Sequence, residues 1–95
     1  MSAYVIFDVD IWDMEQYQKY MTTVKPAIEA AGGKYLVRGG AFKVYEGDWQ
    51  PRRLVLFEFA SMQAITDFFE SPLYARIKPL RDACSSARAI SVEGV

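Results

Sequence analysis

Histidine is absent from this 95-residue chain. That removes the commonest general base and the commonest metal and haem ligand. Cysteine occurs once, at Cys84, so no internal disulfide can form and a zinc site lacks its usual donors. Such cysteine usage fits a reducing cytoplasm. No metal, haem or other cofactor is expected, and any acid–base chemistry must use a carboxylate, a tyrosine, a lysine or water. Charge of one sign is also missing as a block. Eleven basic and twelve acidic residues leave a net charge of −1, with no footprint for nucleic acid. No apolar run approaches the roughly 20 residues of a membrane span, so no membrane is expected as a partner. The opening MSAYVIFDVD lacks a basic leader and reads as a strand, not as a secretory signal.

Apolar material is plentiful, at 52% hydrophobic and 15% aromatic residues. A single domain of this size, residues 1–95, buries only about 60–65% of its unfolded surface. The surplus calls for a partner surface, most simply a second copy of the chain.

Along the chain, Tyr4 to Val9 alternates as a strand, with Val5, Phe7 and Val9 on one face. Asp13 caps a helix whose apolar stripe is Met14, Tyr17, Met21, Val24, Ile28 and Ala31, with a kink expected before Pro26. Gly32 and Gly33 end it. A second strand starts at Lys34 to Arg38, is interrupted at Gly39 and Gly40, and resumes at Ala41 to Glu46. Arg53 to Phe59 is the third strand. Ser61 caps a second helix bearing Ile65, Phe68 and Phe69, and Ser71-Pro72 opens a third whose stripe reads Leu73, Ile77, Leu80 and Cys84. Arg88 to Glu93 closes the chain as a strand.

This order, β-α-β-β-α-β, predicts a ferredoxin-like α+β fold with a four-stranded antiparallel sheet and helices on one face. The strands are apolar on both sides. Leu54 and Leu56 oppose Val55, Phe57 and Phe59, so the second sheet face also needs cover. A homodimer joined through the sheet face, a dimeric α/β barrel, answers that need.

The segments GGKYLVRGG, EGDWQPRR, LFEFAS and SPLYARIKPLRDA, followed by a strand ending EGV, resemble the DUF1330 family across essentially the whole chain. The resemblance implies a dimeric α/β barrel of the superfamily that holds small isomerases, cofactor-free monooxygenases and haem-degrading enzymes. Its polar motif positions fall on Arg38, Glu46, Trp49, Arg53, Glu58, Ser71, Tyr74 and Arg81, with the glycine pair at Gly39 and Gly40. The haem-degrading members use a histidine that this chain does not have.

Two readings attach to each polar residue. Arg38, sharing a face with Leu36, either snorkels to water or anchors an organic anion with its planar fork. Glu58, between Phe57 and Phe59, is the candidate catalytic carboxylate if desolvated, and a structural partner if an arginine lies beside it. Asp8 is a second candidate. Arg53 is expected opposite Glu46 in a cross-strand salt bridge, and Arg52 in solvent. Trp49 is a plug over a partner subunit or a lid on a pocket. Tyr74 and Arg81, seven apart on one helix, share a face and join the candidate binding set of Arg38, Arg53 and Trp49. Cys84 reads as a small hydrophobe. The functions left open are a small isomerase, cyclase or cofactor-free oxygenase acting on an organic acid, and a non-catalytic dimer that binds a metabolite or a protein.

Overall fold

A computed structural model describes all residues, 1–95. The elements run β1 (Ala3–Ile11), α1 (Met14–Ala30), β2 (Lys34–Arg38), β3 (Leu54–Phe59), α2 (Met62–Phe69), α3 (Pro72–Asp82) and β4 (Ser85–Glu93). The antiparallel sheet has the order β2-β3-β1-β4, the ferredoxin-like arrangement. The molecule measures 35 × 33 × 17 Å, the thickness of one sheet and one helix layer. No helix is long and apolar enough to cross a membrane.

Local sequence explains the ends of α1. The Asp13 carboxylate accepts from the Gln16 backbone N–H at 3.2 Å and caps the first turn. At the other end Gly32 takes φ +90°, a left-handed conformation that a side chain would resist. The Gly33 N–H then bonds back to Ile28 O at 2.8 Å, and the Gly32 N–H to Glu29 O at 3.0 Å. The helix continues through Pro26.

The core lies between the helices and one sheet face. Val5, Phe7 and Val9 of β1 and Val55, Phe57 and Phe59 of β3 all point there and are buried. They meet Tyr17, Tyr20, Val24 and Ile28 of α1, and Ile65 and Phe68 of α2. Phe59 is 1% exposed and stands 5.7 Å from the Phe68 ring. Burying each large side chain contributes about 1.5–3 kcal/mol.

The opposite sheet face has no cover. Ile6, Leu54 and Leu56 are half-buried there, and Ile90 and Val92 are 64% and 46% exposed. The two-sided apolar pattern of the strands is therefore present as expected, with one side open.

Three expectations are corrected. Residues 41–46 form no strand, because β2 ends at Arg38 and β3 begins at Leu54, leaving that stretch without a partner. On α3 the buried face is Tyr74, Ile77, Arg81 and Cys84, while Leu73 and Leu80 are exposed. Finally, Arg38 does not share a face with Leu36. The β2–β3 register shifts between Tyr35 and Val37, pairing Tyr35 with Phe57 and Arg38 with Val55. A bulge at Leu36 thus returns Arg38 to the helix side, next to Tyr35.

Candidate functional site

Three arginines converge on the helix side of the sheet. Arg38 comes from β2, Arg53 from the residue before β3, and Arg81 from α3. All three lie against aromatic rings. The Arg38 guanidinium stands 5.2 Å from the Tyr35 ring centroid, Arg53 stands 5.8 Å from Tyr17, and Arg81 stands 5.2 Å from Phe7. Arg38 and Arg81 border a cavity of about 20 Å³, lined otherwise by Phe7, Tyr17, Tyr20, Met21 and other apolar groups. That is room for about one water.

The charges here are poorly matched by carboxylates. The only ion pairs in the chain are Lys78–Asp82 and Arg81–Asp82. Arg81 is 8% exposed, donates from Nη1 to the Tyr74 hydroxyl at 2.8 Å, and reaches Asp82 at 3.6 Å. Burial acts to lower its pKa, but Tyr74, Tyr20 and Asp82 outweigh that and the net shift is upward. Arg53 has no ion pair. Its Nε is buried without a partner, its Nη2 meets the Met21 sulfur at 3.6 Å, and the Tyr17 phenol lies beside the guanidinium. Arg38 likewise has no ion pair. The expected Glu46–Arg53 salt bridge is not formed, because Glu46 lies in the exposed loop rather than on a strand opposite Arg53.

The phenols of this region are held neutral. Burial pushes the Tyr17, Tyr20 and Tyr74 hydroxyls up, and Tyr35 up to about 12. At neutral pH they donate and accept hydrogen bonds but carry no charge. Cationic forks, neutral phenols and apolar walls can bind an acid and stabilise an oxyanion. No carboxylate lines the small cavity to serve as a base.

Glu58 and Trp49 lie on the other face. Glu58 pairs with Tyr4 of β1 and Lys34 of β2, alongside Leu54 and Leu56 on the open side. Trp49 belongs to a cleft of about 720 Å³ on that same side, with Ile6, Asp8, Arg88 and Ile90. Its indole Nε1 donates to Asp8 Oδ2 at 3.0 Å, and the Arg52 backbone N–H donates to Asp8 Oδ1 at 2.9 Å. Burial would raise the Asp8 pKa, but these two hydrogen bonds and the charge of Arg88 hold it below the usual value. Asp8 therefore pins the loop over the sheet.

Of the residues singled out from sequence, Arg38, Arg53, Tyr74 and Arg81 come to one region, and Glu58 and Trp49 to another. Tyr17 and Tyr20 escaped notice as functional groups. Their signal was two hydroxyls on the buried face of α1, where an aliphatic side chain would fill space without needing a partner. Cys84 is buried, with its thiol directed at Leu80 O at 3.3 Å and its pKa pushed up by burial, as befits a small hydrophobe.

An open, ferredoxin-like α/β sandwich with an arginine-rich helix side defines the class. The chain belongs to the DUF1330 family, a domain of unknown function, whose model matches residues 2–95. Among curated proteins none matches the sequence. Solved structures share the fold. A protein of unknown function from Rhodopseudomonas palustris superposes with a TM-score of 0.77 at 19% identity, covering 99% of this chain and 82% of its own. A dimeric ferredoxin-like protein of unknown function from Jannaschia sp. CCS1 gives 0.71 at 10% identity, covering 99% and 100%. A cofactor-independent oxygenase from Streptomyces nogalater gives 0.65 at 10% identity, covering 99% and 91%.

Proposed function

We propose that this protein binds a small organic acid on the helix side of its sheet, in the region of Arg38, Arg53, Tyr74 and Arg81. One observation carries the reading. Arg53 is a partly buried cation with no carboxylate partner and an orphaned Nε, its neighbours being the Met21 thioether at Nη2 and the neutral Tyr17 phenol. A buried cation without a counterion is costly, and a bidentate carboxylate removes the cost. The aromatic walls suit an apolar body. Arg81 and Tyr74 already satisfy each other, so they brace the site and supply positive potential. Glu58 faces the other side and moves no proton here.

The open face takes a second copy of the chain, across Ile6, Leu54, Leu56, Ile90 and Val92. The dimeric relative from Jannaschia supports this, as does the exposure of large apolar side chains on that face. Binding without chemistry is the reading favoured by an inner cavity with donors and cations but no carboxylate. If a reaction occurs, oxyanion stabilisation is what these residues offer, in keeping with the cofactor-independent oxygenase among the structural neighbours.

A thermal-shift screen of small aliphatic and aromatic carboxylates tests the acid site. A stabilising acid whose effect disappears in both Arg38→Ala and Arg53→Ala is expected. An equal effect in those variants, or none across the panel with wild-type protein, would overturn it.

A further inference from the structure

Two hollows meet at the unpaired arginine. The inner one is the cavity of about 20 Å³, and Met21 is part of its wall. The outer one is an open cleft of about 290 Å³ whose lining includes Asp10, Met14, Gly39, Gly40, Arg52 and Arg53. Arg53 belongs to the outer wall, Met21 to the inner wall, and their contact at 3.6 Å divides the two. The outer cleft alone is at the lower edge of the size of small-molecule sites, and the inner one is far too small to be one.

Chemically this contact is a mismatch. A thioether sulfur is a weak acceptor, whereas a guanidinium prefers two carboxylate oxygens. Methionine is unbranched and has flexible torsions, so it can vacate such a position cheaply. Met21 is half-buried, between fully buried Tyr20 and Val24 on α1. Behind Arg53 the geometry is firm. The Gly39 backbone, at φ +75°, passes so close to the guanidinium that a Cβ there would collide with it. The arginine is therefore approached by bare main chain at Gly39 and by the Tyr17 ring and the flexible Met21 side chain from α1.

We propose that Met21 stands in for the acidic group of the ligand at Arg53 and controls access from the outer cleft to the aromatic chamber. This rests on the acid-site reading above and narrows its ligand class. The ligand is a monocarboxylate with a compact aryl or branched apolar body. Its carboxylate displaces the Met21 sulfur from Arg53. Its body takes the space that the methionine side chain leaves among Tyr17, Tyr35 and Val55. An inorganic phosphate fits less well, because it has no apolar body for the aromatic and aliphatic walls of the chamber and Asp10 lines the outer cleft.

The first test needs no ligand. Met21→Glu places a carboxylate where the sulfur lies. It should raise Tm by about 5 °C relative to Met21→Gln, and the gain should vanish in an Arg53→Ala background. A gain of equal size with and without Arg53 would overturn the geometry. The second test uses benzoate and isothermal titration calorimetry. Met21→Ala should bind it about tenfold more tightly than wild type, since the ligand no longer has to displace the plug. Met21→Glu should not bind it. Met21→Leu, which keeps the volume but is branched and leaves less readily, should bind benzoate no more tightly than wild type, and an unchanged Tm for Met21→Ala guards against a fold defect there. Benzoate binding that depends on Arg53 but is the same in wild type, Met21→Ala and Met21→Glu would sink the Met21 role and leave the acid site standing. Arg53-dependent stabilisation by Met21→Glu, with no acid bound by wild type or Met21→Ala, would support the stand-in position and overturn the monocarboxylate ligand.

Discussion

Arg81 donates from Nη1 to the Tyr74 hydroxyl at 2.8 Å, two turns away on the same helix, and both residues are buried. The bond joins a cation to a neutral phenol in a low-dielectric setting, where losing the acceptor is expensive. Tyr74→Phe should cost about 1.5–3 kcal/mol. The loss should be read as a shift of the urea midpoint with an unchanged slope. An unmoved midpoint would mean that water or Asp82 fully replaces the phenol.

Gly33 sets a second expectation. It is buried at the start of the turn into β2, and a Cβ there would lie 2.5 Å from Ile28 Cγ2 and 2.9 Å from Phe59 Cζ. Neither neighbour has space to move. Gly33→Ala should destabilise by about 1–3 kcal/mol through overpacking. Thermal denaturation checks this, with Gly40→Ala as control, since a Cβ on Gly40 would meet nothing within 4 Å.

Asp8 makes the loop pH-dependent. Its folded pKa lies below the ordinary 3.8, because the Arg52 and Trp49 hydrogen bonds outweigh burial. A depressed carboxylate stabilises the fold above its unfolded pKa and loses that contribution as pH falls through the folded value. Acidification below 3.8 should therefore release the indole, and Trp49 fluorescence should change in that range. Asp8→Ala should show the released spectrum at neutral pH and no step. A Trp12→Phe background isolates the signal.

The open face predicts assembly. Sedimentation at micromolar concentration should give twice the mass of one chain. Ile90→Lys puts a charge on a residue that is 64% exposed in the single chain, so it should leave the fold intact. In an assembled sheet face the same charge is desolvated, and the mass should fall to one chain. A wild-type mass of one chain would remove the dimer.

The layers of this fold were legible in the sequence because strand alternation is rigid. Val5, Phe7 and Val9, with Val55, Phe57 and Phe59, could only share a face, and they form the core wall. Helix α3 was less readable. Leu73-Ile77-Leu80-Cys84 and Tyr74-Ile77-Arg81-Cys84 both satisfy helical spacing. Hydropathy selects the first, yet the fold buries the second because Arg81 finds a phenol and a ring. Residues 41–46 carry a strand-like pattern, but a strand needs a partner to hydrogen-bond, and the sequence cannot say that none runs beside it. The Glu46–Arg53 pairing failed with it, since it depended on that missing ladder.

The bulge at Leu36 has a consequence for how this strand can change. Counting from Tyr35, ordinary parity would put Arg38 on the open side. One supernumerary residue corrects the count, since Tyr35 and Arg38 pair with Phe57 and Val55 on the same face. Leu36 is thus the strand's leap day. Deleting it would leave Tyr35, Val37 and Arg38 facing as they do now, whereas an insertion elsewhere in the strand would turn the arginine out of its chamber. Losing one residue between Tyr35 and Arg38 is neutral to the facing of the site, and gaining one there is not.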